Sequence, residues 1–324
     1  MRALAAAAWP RSTARSIRNG DGRGSRIETL ASLAAIALLS ALAAASILEQ
    51  SPAEPGETQE GAGGASLDPA LAVPAREFMI GAYSGAPYTY PSDVTVKKEG
   101  VHDFTVKDVG WDGEPFENPI YYGARIVRWL SGGRTGAMVD FTHSKTIARR
   151  GDEAELLGTI GGKPAPARAK IGDVFRHLEV SHGHNMLTLN GLFRLPRLHT
   201  RLYPYVGLGA GVALPHSEVQ MAGDRGRTYE YQYAGPVVQA LIGLEFRVPR
   251  MSYFVEYKFS LANYEMPLSN EDGSILVFDL WRQFERWWKG EEPPGGRLWT
   301  RLTSHQVIAG LGVRFGAAPV ASDP

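Results

Sequence analysis

A chain of 324 residues with 34 basic and 34 acidic side chains has room for one large domain or two ordinary ones, and no charge excess that would draw it to nucleic acid. It contains no cysteine, which excludes disulfides, thiolate nucleophiles and cysteine-bound zinc or iron–sulfur centres. Partners and chemistry have to be read from local patterns.

Residues 1–45 carry Arg2, Arg11, Arg15, Arg18, Arg23 and Arg26, then most of the apolar run Leu30 to Leu48, with Ala43, Ala44 and Ala45 as a small-residue cleavage site. This reads as a secretory signal; a retained membrane helix is the alternative, because the run approaches the roughly 20 residues that span a bilayer. Residues 46–75 are rich in Pro, Gly and Glu, have almost nothing to bury, and read as a disordered linker.

From residue 76 to 316 apolar and other side chains alternate with period two in eight segments: Arg76 to Ser84, Ile120 to Leu130, Thr135 to His143, Asn185 to Leu195, Tyr203 to Leu214, Val237 to Val248, Ser252 to Leu261 and His305 to Phe315. Most have the length of a tilted strand crossing a bilayer. Their connections alternate too: "SGGR", "PRLHTRL" and "PRM" are short, whereas Gly85 to Pro119, Ser144 to His184, Pro215 to Pro236 and Ala262 to Ser304 are long and polar. Short turns on one side and long loops on the other describe an all-β, eight-stranded antiparallel up-and-down transmembrane barrel. A soluble lipocalin-like barrel, apolar inside, is the competing architecture.

Charge placement favours the membrane form. One parity collects Asp140, Glu245 and Glu256 with Arg125, Arg194, Arg247, Lys258 and Arg314, and because lipid offers no hydrogen bonds these groups belong in the lumen as a paired plug. Gly207, Gly209 and Gly211 share the lumenal parity, where they leave room for long neighbours. In the last loop, Leu276, Leu280, Phe284 and Trp288 recur every four residues with Val277 and Trp281 beside them, and Asp279, Arg282, Gln283 and Arg286 fall largely elsewhere. That is a short amphipathic helix, either lying along the membrane or closing the barrel as a lid. Residues 317–324 form a tail.

Imidazoles and carboxylates crowd the outer rim. If "SHGHN" continues the fourth strand, His182 and His184 share the inward parity and reach one divalent ion; solvated loop histidines are the plain alternative. His143 has outward parity. His216 and Glu218 follow the fifth strand past Pro215, and Asp112 precedes the second strand. No dinucleotide fingerprint or phosphate loop is present, since "GLGAGV" and "GTIGGKP" both miss the required spacing or residues.

The succession "GWDGEPFENPIYYGAR", "GAMVDFTHSK", "FRHLEVSHGHNMLTLNGLFRLP", "LYPYVGLGAGVALPHSEV", "TYEYQYAGPVVQALIGLEF" and "VEYKFS" resembles the lipid A oxidase barrels of alphaproteobacteria over most of Phe78 to Phe315. The resemblance implies a bacterial outer-membrane enzyme acting on the lipid A of lipopolysaccharide. Such an enzyme converts the proximal glucosamine of 1-dephosphorylated lipid A to 2-aminogluconate, with O2 as co-substrate, H2O2 as co-product and a divalent metal ion. The Trp-rich segment of the last loop is longer than in that family. No catalytic residue is carried over from it; the candidates stand on residue chemistry alone. They are His182 and His184 as metal ligands, His216 and Glu218 as ligand or base, and Asp112 as support, in a chain expected to be monomeric. Two other readings stay open: an acyl-chain hydrolase or transferase built on His216, Ser217 and Glu218 or on His143 and Ser144, and a non-enzymatic adhesin or envelope scaffold.

Overall fold

The computed structural model describes residues 77–130 and 132–316; the expected signal segment, linker and C-terminal tail lie outside the described residues. Eight antiparallel strands form the barrel: Glu77–Thr89, Tyr122–Trp129, Thr135–Ser144, His184–Arg194, Leu202–Ala213, Gly235–Arg247, Met251–Pro267 and Arg297–Phe315. Each pairs with the next, and the first closes on the last in an unbroken register from Phe78 opposite Phe315 to Thr89 opposite Ser304. Closure removes both sheet edges, so the ring of barrel strands pairs its own backbone groups, as a hydrocarbon environment demands.

The aliphatic parity points outward. Ile80, Leu189, Leu208, Val238, Ile242 and Leu311 are all at least two-fifths exposed, Leu208 reaching 71%. The charged parity is enclosed. Arg125 donates through Nε to Asp140 at 3.1 Å and through Nη1 and Nη2 to Glu256 at 2.9 and 3.0 Å, while Lys258 donates to Asp140. The rings of Tyr83 and Phe254 flank the same guanidinium at 4.7 and 4.5 Å. Toward the short-turn end, Glu77 joins Glu245 in binding Arg194, Arg247 and Arg314. Glycine makes the crowding possible, because the Tyr83 ring and the Asn190 amide fill the space that a Cβ on Gly123 or Gly209 would need. An apolar exterior around an ionic interior rules out the lipocalin arrangement. This is a barrel of a bacterial outer membrane.

The long connections are not plain loops, and here the structure departs from the sequence reading. The last two barrel strands run past the others and carry the sheet upward through Ser92–Lys98, His102–Val109, Glu153–Ile160 and Arg168–Lys170. A second sheet of five strands faces it, in the order Thr228–Tyr231, His216–Met221, Phe175–Glu179, Ile147–Ala148, Trp111–Asp112. Val94, Val96, Phe104 and Val106 from the first layer meet Phe175, Leu178 and Val219 from the second in one buried cluster. Each such side chain contributes about 1.5–3 kcal/mol of burial. These strands are short, and their alternating apolar residues sit among charges, so the pattern is hard to read from sequence. All four long connections contribute to this cap.

Arg125 neutralises two buried carboxylates, so its loss leaves uncompensated charge in the barrel. Arg125→Met should cost about 3–5 kcal/mol, read as a lower denaturant midpoint in detergent, whereas lipid-facing Ile242→Leu should move it by less than about 1.5 kcal/mol.

Candidate functional site

The outer face of the five-stranded sheet collects the chemistry. Across it runs one register row: Asp112 opposite Ile147, Ile147 opposite Glu179, Glu179 opposite Glu218, and Glu218 opposite Tyr229. Directly opposed residues share a face, and the alternate residues Trp111, Ala148, Leu178 and Val219 are buried in the cap core. The row therefore faces away from the core. With neighbouring strands about 4.8 Å apart, Asp112 lies roughly 10 Å from Glu179, and its carboxylate is tied to Arg149 Nε at 2.6 Å.

At the row's centre, His177 joins the two glutamates. Its Nδ1 lies 3.1 Å from Glu179 Oε1 and 3.3 Å from Glu218 Oε1, and one ligand atom from each of the three residues falls within 4.8 Å of the others. One imidazole and two carboxylates make a donor set suited to zinc, iron or manganese, so these residues fit a divalent ion better than the expected histidine pair. Arg227 donates to Glu218 Oε1 at 3.1 Å and to Asp272 at 3.1 Å. The sequence reading missed His177 and Glu179. Their signal was the His-x-Glu spacing within "FRHLEV", which becomes visible only once that segment is known to be a strand beside Glu218.

His182 and His184 are turned to different neighbours. Gly183 adopts φ +142° in the turn before the fourth barrel strand, which breaks the alternation that would have aligned them. His182 stands 5.5 Å from the His216 ring and 5.2 Å from Tyr229. His184 is enclosed, hydrogen-bonded to the Tyr264 hydroxyl through Nδ1, with Nε2 buried and unpartnered. His143 stacks on Tyr122 at 4.5 Å and its Nδ1 bonds Asn185.

His216, on the same strand face as Glu218, lies edge-on to Tyr229 and Tyr231 at 4.4 and 4.5 Å. Its Nε2–H donates to the Gly273 carbonyl at 3.1 Å, leaving Nδ1 buried without a partner. Burial lowers its pKa below the usual histidine range, against the pull of the Gly273 carbonyl. Burial likewise raises Glu230 on the opposite face, in spite of hydrogen bonds from Ser269 and Gln232. Burial first, then Tyr122, Asp279 and Tyr229, raise the Tyr231 phenol. Tyr122 tops the lipid-facing wall of the barrel and is 44% exposed, so the corner of this face formed by His216 and Tyr231 adjoins the upper edge of the apolar belt. The His177, Glu179 and Glu218 cluster lies on the outer face of the cap, outside the lumen.

Neither serine run forms a hydrolase dyad. Ser217 is buried on the opposite face, where it donates to Gln232 Oε1 at 2.8 Å, and Ser144 bonds the His184 carbonyl.

No family model and no curated protein matches the chain. Among solved structures it is similar to the outer membrane protein OprG of Pseudomonas aeruginosa, at 10% identity over 77% of this chain and 100% of that one, with a TM-score of 0.37. It is also similar to Neisserial surface protein A (9% identity, 74% and 96% covered, TM-score 0.32). A third is the attachment invasion locus protein Ail of Yersinia pestis (11%, 74% and 99%, 0.29). Likeness at this level carries no argument about function.

Protonating His216 would place an N–H at Nδ1, where no acceptor waits. Its folded pKa lies below the ordinary value of 6.5, so the stability it lends the cap is complete above pH 6.5 and is lost as pH falls from there through the folded pKa. Hydrogen exchange of the Ser217–Gln232 amides should accelerate over that window in the native chain. In His216→Gln, which keeps a donor for Gly273, the pH-dependent part of the acceleration should disappear.

Proposed function

We propose that the chain is a lipid A oxidase of the outer membrane, acting on the proximal glucosamine of 1-dephosphorylated lipid A. The supporting observation is the position of His177, Glu179 and Glu218 on a sheet face whose His216 end adjoins lipid-facing Tyr122. A headgroup at the membrane surface meets this face without leaving the leaflet. A site inside the lumen would meet the Arg125, Asp140, Glu256 and Lys258 plug instead.

The chemistry balances with O2 alone as oxidant. The sugar hemiacetal loses the C1 hydrogen with two electrons and its hydroxyl gives up a proton; O2 accepts two electrons and two protons and leaves as H2O2. Water then opens the lactone, and the sugar has gained one oxygen. A divalent ion held by His177, Glu179 and Glu218 would supply a binding point for O2 and for the sugar hydroxyl. The Gly273 carbonyl fixes the His216 tautomer that leaves Nδ1 bare, and this imidazole, held neutral by burial, would accept the hydroxyl proton there once the side chains that cover that nitrogen give way to the sugar. Arg227 holds the Glu218 carboxylate in place. Asp112, paired with Arg149 at the far end of the row, supports the sheet and takes no proton.

Lipid A from cells that make the 1-dephosphorylated form and express the chain under air should gain one oxygen by mass spectrometry, and the gain should vanish without O2. Glu218→Gln and His177→Ala should each reduce the conversion more than about a hundredfold and release bound divalent metal, whereas His184→Ala should retain the metal. An unchanged lipid A mass would leave a non-enzymatic barrel, and a gained or lost acyl chain would replace oxidation with acyl chemistry.

A further inference from the structure

The helix Leu276–Lys289 is amphipathic in the reverse sense to a helix of a soluble domain. Its polar side chains face the protein: Asp279 accepts from the Tyr231 backbone N–H at 3.2 Å, Arg286 donates to Glu271 at 2.9 Å, and Gln283 exchanges hydrogen bonds with both backbone groups of Tyr233 at 2.7 and 2.9 Å. Its apolar side chains face away, with Trp281 64%, Trp287 67% and Trp288 74% exposed. Tyr233 lies just before the sixth barrel strand, so the helix is fastened at the height where the lipid-facing wall ends. A surface this apolar, continuous with a hydrocarbon-facing wall, belongs in the outer leaflet.

Between the helix and the wall lies a cleft of about 810 Å³. Leu280, Phe284 and Trp287 line its helix side, and Leu214, Pro236 and Trp299 its wall side. Pro236 shares the outward parity of Val238 and Ile242, both exposed to lipid, so the cleft is an upward extension of the belt. Arg286 and Arg297 edge it as ion pairs with Glu271 and Glu265, which gives the apolar slot a polar rim.

We propose that this cleft holds one acyl chain of an outer-leaflet lipid, with the helix inserted in the leaflet as its outer wall. The inference goes beyond the oxidase reading and is read out without turnover. The full chain would be placed in phosphatidylethanolamine–phosphatidylglycerol vesicles doped with phosphatidylcholine bearing a diazirine in its acyl chain, illuminated, and its adducts mapped by mass spectrometry. Adducts are expected on Leu280, Phe284 and Trp299 as well as on belt residues such as Ile242. Leu280→Trp, which fills the slot from the exchangeable helix side, should lower the Trp299 adduct by about tenfold and leave the Ile242 adduct unchanged, the latter reporting an intact barrel. A second variant, Leu214→Trp, fills it from the wall and should do the same. Adducts confined to the belt, or a Trp299 adduct undiminished in both filled variants, would overturn the proposal.

Discussion

Hydrocarbon gives a polypeptide nothing to hydrogen-bond with, and the molecule below its cap is organised by that constraint. Backbone groups are satisfied by closing eight strands into a ring. Charged side chains are satisfied by turning them inward, where Arg125 lies between Asp140 and Glu256 and Lys258 completes the group. The interior is filled as well as neutralised: aromatic rings flank the guanidinium, and glycines at points of closest approach let them in. A lumen packed in this way leaves no wide passage, so any ligand has to be met above the barrel or on its outer surface.

The cap meets that requirement. The two longest barrel strands carry the sheet beyond the ring, and a second sheet packs on it over an ordinary apolar core. One face of the second sheet is consumed by that core, and the other carries a register row of carboxylates from Asp112 to Tyr229 with His177 and His216 in the neighbouring rows. The same cap anchors the helix of the last loop through the helix's polar residues, leaving its tryptophans outward. A face of titratable side chains and a helix with outward tryptophans thus stand on one scaffold.

The barrel was legible in the sequence because a half-lipid, half-lumen strand alternates over most of its length, as in Val238, Ala240, Ile242 and Leu244 against Gln239, Gly243 and Glu245. The ionic plug was legible for the same reason, except for Glu77, which sits at the edge of the first strand. The cap was not. Its strands are short, some only two residues such as Trp111–Asp112, and a two-residue strand has no period. The site suffered in proportion. His216, Glu218 and His182 do come near one another, but the His182 and His184 alignment depended on a strand continuing through Gly183, whose positive φ ends it. His177 and Glu179 stayed invisible because only pairing between two distant loops brings them to Glu218.

The central claim is that the aliphatic face of the barrel looks into lipid while the His177, Glu179 and Glu218 face stands in the aqueous layer just above it. Spin labels at position 208, in place of Leu208, and at position 179, in place of Glu179, would be compared in bilayers for collision with O2, which concentrates in hydrocarbon, and with a water-soluble nickel chelate. The label at 208 should be relaxed by O2 and shielded from the chelate, and the label at 179 should be reached by the chelate. A label at 208 open to the chelate and shielded from O2 would contradict the barrel's orientation and, with it, the site built upon it.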